Sequence, residues 1–160
     1  MIREMRPQDW AETAEIYRQG IERGNATFTR ECPSYEEWDR AHIKECRLVY
    51  EAEGHVAGFA AIAPTSSREP YRGVAEVSIY VDGAYQRRGI GEALLKKLCE
   101  ESEKCGYWSL YSAVFSVNEA SIALHKKCGF RVTGYREDIA KDIFGNWQST
   151  TVMERRNAIR

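Results

Sequence analysis

Two periods of hydrophobic and polar positions alternate along this chain. The period of two, in which successive side chains face opposite ways, marks strands at Leu48–Ala52 and Val56–Ile62, with Glu53-Gly54 between them as a hairpin turn. It recurs at Val74–Val81, where Ala75, Val77, Ile79 and Val81 share one face and Glu76, Ser78 and Tyr80 the other. Ser109–Phe115 is another strand, Arg131–Ile143 and Trp147–Met153 form a last pair around Gly145-Asn146, and Ile2–Arg6 is a short first one. The helical period begins at Pro7 and puts Trp10, Ala14, Tyr17 and Ile21 on one face, with Gly20 and Gly24 marking the end. Ser34 caps a second helix, and Glu37 three residues on completes a capping box. A third helix, Gly91–Lys104, turns Leu94, Leu95 and Leu98 inward, and a short fourth, Ser121–Lys127, stops at Gly129. The order β-α-α-β-β-β-α-β-α-β-β predicts an α/β (α+β) fold, a mixed sheet with helices on both faces.

Composition narrows the field without deciding it. At 160 residues, with no repeat, linker or low-complexity tract, the chain suits one domain over residues 1–160 with a real core. A formal net charge of −1 leaves no electrostatic footprint for nucleic acid. The longest apolar run, Val56–Ala63, is far short of the ~20 residues that span a bilayer. The start, Met1 to Arg6, lacks the apolar core of a signal peptide, so a cytoplasmic location is expected. The five cysteines are odd in number and contain no Cys-x-x-Cys pair, which argues against a disulfide framework or a metal site. Cys99 reads as core; Cys128 reads as buried filler, with a reactive thiol as the alternative.

The most informative stretch is Gln86-Arg87-Arg88-Gly89-Ile90-Gly91, between the Val74–Val81 strand and the third helix. Glycines at such a junction let backbone approach a ligand closely. The first amides of a helix lack intrahelical partners and carry the positive end of its dipole, an arrangement suited to phosphate. Arg87 and Arg88 add two permanent charges. The dinucleotide fingerprint is not met, because Leu94 stands where a third glycine belongs; no Gly-Lys-Ser/Thr ending occurs either. A plain turn and helix start is the competing reading of the two glycines.

Gln-x-x-Gly-x-Gly after a strand resembles the acyl-CoA loop of the GNAT acetyltransferase superfamily. Asn118-Glu-Ala-Ser-Ile-Ala-Leu-His-Lys-Lys-Cys-Gly-Phe130 resembles a second family segment, with His125 in the position of a tyrosine. The resemblance implies a mixed, mostly antiparallel sheet flanked by helices, with splayed strands forming the acyl-CoA cleft. It implies acetyl-CoA as cosubstrate, held by the amides from Arg87 through Arg88, Gly89, Ile90 and Gly91 to Glu92. Asn118 would bond the pantetheine arm, though an asparagine before a helix is also an ordinary cap. Backbone amides around Ile79, Tyr80 and Val81 would hold the oxyanion.

Glu76 is either a solvated carboxylate on a half-exposed strand or a general base that removes the proton preventing an ammonium from attacking. Partial desolvation would raise its pKa usefully. His125 is either satisfied near a helix C-terminus or an acid or orienting group at the thioester. No nucleophile beside a base is evident, so direct transfer in a ternary complex is expected.

Ala26-Thr-Phe28-Thr, Arg68-Glu-Pro-Tyr71, Val74-Ala-Glu76-Val-Ser-Ile-Tyr-Val81, Leu124-His125-Lys-Lys-Cys-Gly-Phe130 and Phe144-Gly-Asn-Trp147 occur in order. Together they resemble the phosphinothricin / methionine-sulfoximine N-acetyltransferase branch over about residues 1–155. The resemblance implies that Arg68 and Tyr71 meet the acceptor's carboxylate or oxygens, that Phe28 walls the pocket, and that the chain forms a homodimer. The bland readings are a solvated loop charge for Arg68 and loop anchors for Phe28 and Tyr71. Ser149 stands where the branch often has aspartate, and Pro64-Thr-Ser-Ser-Arg68 lacks an aromatic often found there. The expected partner is thus a small-molecule amine, with neither nucleic acid nor membrane. Polyamine, aminoglycoside or protein N-terminus acceptors are the alternatives, and a non-catalytic acyl-CoA-binding regulator is a further one.

Overall fold

The computed structural model describes residues 1–159. Strands β1 (Ile2–Glu4), β2 (Leu48–Ala52), β3 (His55–Pro64), β4 (Val74–Val81), β5 (Ser109–Phe115), β6 (Arg131–Lys141) and β7 (Trp147–Arg156) form one sheet in the order β1-β2-β3-β4-β5-β7-β6. Helices α1 (Trp10–Arg23), α2 (Tyr35–Ala41), α3 (Ile90–Lys104) and α4 (Glu119–Lys127) flank it. Every strand pair is antiparallel except β4–β5.

The expected elements are present, with local differences. Pro7–Asp9 forms a 3-10 turn, so α1 begins at Trp10. Gly20 does not end α1. It lies inside it, where a Cβ would come within 2.7 Å of the Tyr80 ring, so its role is close packing. Gly24, with φ +72°, is the residue that stops the helix in the left-handed conformation. The Ser34–Glu37 capping box forms as expected, Ser34 Oγ accepting from the Glu37 amide at 3.2 Å. Strand β6 stops at Lys141, two residues short of the expected end. Its pairing slips between Arg136 and Ala140, where Asp138 takes φ +43°.

Two cores sit on opposite faces of the sheet. One is aliphatic: Leu94, Leu95 and Leu98 of α3 pack with Ile62, Val77, Leu110 and Met153. Gly58 lets α3 lie close, since a Cβ there would stand 3.1 Å from Leu94 Cδ1 and 3.0 Å from Tyr80 O. The other is aromatic: Trp38 and Phe59 are buried with Ile16 and Val49, and Trp10, Tyr17 and Tyr80 pack against them. Tyr80 stacks between Tyr17, at 5.1 Å, and Phe59, at 5.4 Å.

The parallel seam positions the site. Strands β4 and β5 pair only at Val74–Ser109, Ala75–Leu110 and Glu76–Tyr111. Beyond Glu76, β4 continues to Val81 and β5 to Phe115 without pairing, so the two strands part.

Candidate active site

A cleft of about 1190 Å³ opens where β4 and β5 separate, walled by both strands, by α4 and by the Asn25–Thr29 loop. Antiparallel pairing fixes which backbone groups face it. The Asp82 amide donates to Ala57 O at 2.8 Å. By alternation, Tyr80, Ser78 and Glu76 exchange bonds with β3, while the backbone groups of Ile79 and Val81 turn toward β5. Gln86 Nε2 donates to Val81 O at 2.9 Å from that side. Of the three residues expected to hold an oxyanion, Ile79 and Val81 therefore present backbone to the cleft. The Tyr80 amide does not, being committed to β3.

One end of the cleft is the Gln86–Gly91 loop. Arg87 at φ +64° and Gly89 at φ +77° are both left-handed, which curls successive amides into a concave nest. Gly89 is the N-cap of α3 and no side chain caps the helix, so its first-turn amides remain open. Arg87, Gly89, Ile90, Gly91 and Glu92 line the cleft. Arg88 is not among the lining residues; its guanidinium lies 3.7 Å from Glu53 and over the Tyr85 ring at 5.0 Å. Open amides, a helix dipole and one guanidinium fit a phosphorylated cofactor.

Glu76 lies on the cleft wall, at the last β4 residue paired with β5. It is solvent-accessible yet recessed, and desolvation raises its carboxyl pKa above the ordinary range. His125, on α4, is 2% exposed. Its Nδ1 lies 2.7 Å from Ser121 O, which can only accept, so Nδ1 carries the proton. The Nε2 lone pair is then bare, buried and without a protein partner among the described residues. Burial lowers the His125 pKa, an effect only partly opposed by the Ser121 bond. The ring is thus neutral at neutral pH and an acceptor at Nε2.

The sequence profile of the Acetyltransferase (GNAT) family matches residues 9–130. The chain belongs to this family. It is 36% identical over 107 residues to an L-methionine sulfoximine/L-methionine sulfone acetyltransferase of Salmonella typhimurium, a match spanning 67% of this chain and 62% of that protein. It is 31% identical over 157 residues to a phosphinothricin N-acetyltransferase of Streptomyces viridochromogenes, covering 92% of this chain and 85% of that one. The structure of yncA from Salmonella typhimurium with its cofactor acetyl-CoA superposes with a TM-score of 0.91 at 29% identity, over 100% of this chain and 95% of that one.

The remaining sequence-derived positions divide in two. In this GNAT chain Asn118 is the N-cap of α4, its Oδ1 accepting from Ser121 N at 3.2 Å; its Nδ2 donates to Asn25 O at 3.3 Å, and it lines the cleft. Phe28 lines the cleft too, 4.4 Å from the Phe115 ring. Arg68 and Tyr71 are not brought there. They sit on the exposed loop before β4, with Tyr71 47% exposed and Arg68 5.6 Å over its ring. Cys128 is buried behind the loop, its thiol 3.9 Å from Glu92 O and its pKa raised by desolvation, which disfavours the reactive thiolate.

Two cleft residues escaped the sequence reading. Arg23, at the end of α1, lines the cleft, which Arg68 does not. His42, just past α2, also lines it. Neither stands in a motif, and both reach the cleft only because α1 and α2 end at its rim. Among the described residues no helix is long and apolar enough to cross a membrane.

Proposed function

We propose that this protein transfers the acetyl group of acetyl-CoA to the amine of a small amino-acid-like acceptor of the methionine sulfoximine, methionine sulfone or phosphinothricin type. The observation that carries the reading is the placement of Glu76, with its raised pKa, in the same cleft as the open amides of the Gln86–Gly91 loop. The relatives' acceptors supply the substrate class.

The loop amides from Gly89 to Glu92, with Arg87, hold the cofactor's phosphates, and Asn118 borders its pantetheine arm. Acetyl-CoA supplies a thioester carbonyl. Glu76 takes one proton from the acceptor's ammonium, freeing the nitrogen lone pair to attack that carbonyl. The Ile79 amide, on the splayed edge of β4, receives the developing oxyanion. The C–N bond forms, and as the C–S bond breaks the nitrogen gives its second proton to the departing sulfur, so that the amide and the coenzyme A thiol leave and Glu76 returns the first proton to solvent. His125, neutral with a bare Nε2, accepts a hydrogen bond from the pantetheine amide N–H beside the thioester and so orients the arm. A protonated His125 that donates to the thiolate is disfavoured by its lowered pKa.

Phe28 walls the acceptor's methylene stem. Arg68 and Tyr71 remain the resemblance-based choice for the acceptor's carboxylate, and Arg23 is the choice favoured by cleft lining. A homodimer is proposed as well. Val132, Tyr135 and Ile139 of edge strand β6, with Phe144 and Trp147, are exposed apolar side chains that a second copy could cover.

Thiol release from acetyl-CoA with a panel of amines tests the proposal. Turnover with methionine sulfone or phosphinothricin is expected. Turnover only with polyamines, aminoglycosides or peptides would replace the acceptor class, and acetyl-CoA binding with no turnover would favour a regulator. Loss of a charge-assisted contact costs about 10- to 150-fold. Whichever of Arg23→Ala and Arg68→Ala raises the acceptor KM by that amount, while sparing a decarboxylated analogue, identifies the carboxylate partner.

A further inference from the structure

His42 belongs to the acceptor end of the cleft, and two contacts with Trp38 fix its ring. Its Nδ1 lies 2.8 Å from Trp38 O, which can only accept, so Nδ1 carries the proton and Nε2 is left as a bare acceptor. The ring stacks on Trp38 at 4.4 Å with 21° between planes. Trp38 is itself buried, with the Arg47 guanidinium 5.0 Å from its ring. Nε2 has no protein partner among the described residues, yet it is not a sealed, unsatisfied atom like that of His125.

The register carries this acceptor toward Glu76. The Ile43 amide donates to Ile62 O at 2.9 Å, so the chain after α2 runs beside β3 on the side away from β4. Ile43 packs into the aliphatic core together with Ile62. Alternation then sends His42 to the aromatic face, the face of Trp38, Phe59 and Ala61. Ala63 continues that face and pairs directly with Glu76. His42 and Glu76 therefore stand on either side of Ala63, their backbones about two strand spacings, or ~10 Å, apart. All three line the cleft, and the Ala63 side chain between them is a single methyl group.

The geometry points to His42 as a specificity-determining residue of the acceptor subsite: its Nε2 accepts a hydrogen bond from the N–H of a primary amine whose proton goes to Glu76. The inference rests on the proposed acetyl transfer. His42 takes no proton itself. It holds the nitrogen so that the lone pair freed by Glu76 faces the thioester. An amine set between an imidazole acceptor and a carboxylate is chosen for its N–H donors, which a hydroxyl or methyl at that place supplies in smaller number or not at all.

The test uses the whole protein, acetyl-CoA, methionine sulfone and its deamino analogue 4-(methylsulfonyl)butanoate as competitive inhibitor. His42→Ala should raise the amine KM by about 10- to 150-fold while leaving the acetyl-CoA KM and the inhibition constant of the deamino analogue unchanged. His42→Gln, whose amide oxygen reaches about as far as Nε2, should recover part of the loss; it also serves if His42→Ala unfolds. An unchanged amine KM, or equal weakening of amine and deamino analogue, would overturn the role of His42 and leave the proposed function standing. Failure of the wild type to acetylate methionine sulfone or any other amine would instead remove the proposed function, and this inference with it.

Discussion

The two faces of the sheet solve different problems with different materials. On the α3 side the core is aliphatic, and what meets the ligand is backbone: the amides of a left-handed loop and of an uncapped helix start. On the α1 and α2 side the core is aromatic, and what meets the ligand is side chain: Glu76, Phe28, Arg23 and His42. A backbone site needs a few residues in one unbroken stretch and tolerates almost any neighbours. A side-chain site is assembled from separate segments, each set by its own packing. The first can persist while the acceptor changes; the second is where a new acceptor would be chosen.

The comparison breaks most visibly at Glu76. If the acceptor end is chemical and not merely a pocket, Glu76→Gln should lower kcat by 10²- to 10⁴-fold without changing acetyl-CoA affinity. Because desolvation raises the pKa of Glu76, the acid limb of the wild-type rate profile should lie above the ordinary carboxylate value of ~4.3. The sign for stability runs the other way. A raised folded-state pKa contributes stability below the unfolded pKa that is lost as pH rises through the folded one. Glu76→Gln should therefore unfold at a temperature equal to or above the wild type's at neutral pH. Wild-type turnover across the pH range would show that Glu76 is a surface carboxylate.

The backbone face is tested by Gly91→Glu. A Cβ there meets only Leu124 Cδ2 at 3.4 Å and Val81 Cγ2 at 3.6 Å, so the fold should accept it. The added carboxylate would face the phosphates, and coenzyme A affinity in calorimetry should fall by about 100-fold, within the range for losing charge-assisted contacts. Unchanged affinity in a folded variant would remove the anion site from this loop.

A smaller effect separates the two faces by packing. Gly20→Ala should gain helix propensity yet lose overall, because its Cβ would press on Tyr80 at 2.7 Å. Overpacking of this kind costs about 1–3 kcal/mol, measurable as a shift in the urea midpoint. The acceptor KM should also change, since Tyr80 lines the cleft. A stabilised variant would mean that the aromatic layer yields easily.

The smallest effect is the pH dependence of stability. His42 and His125 both have lowered pKa values, chiefly from burial. The unfolded chain takes up these protons first as pH falls, so stability should decline below the ordinary imidazole value of ~6.5 and keep declining until the folded pKa values are passed. Urea midpoints at pH 7 and pH 5 measure it, and His125→Phe should flatten the curve.

Strand and helix periods made the fold legible, and the glycine loop made the cofactor end so, because each lies in continuous sequence. Gly20 misled because a glycine in a helix reads as a stop, whereas here it makes room for a ring from another element. His42 and Arg23 were silent because each merely ends a helix, and only the sheet register shows where those ends arrive. Arg68 stood in a recognisable segment, but the exposed loop carrying it does not line the cleft.

The short β4–β5 seam has a further consequence for exchange of backbone protons with solvent. A strand in the middle of a sheet is normally the slowest-exchanging part of a protein. Past Glu76, β4 keeps that protection only on alternate residues: Ser78 and Tyr80 are locked to β3, while Ile79 and Val81 face a gap. The fourth strand should therefore give a saw-toothed protection pattern, an edge strand's behaviour written into the interior of the sheet.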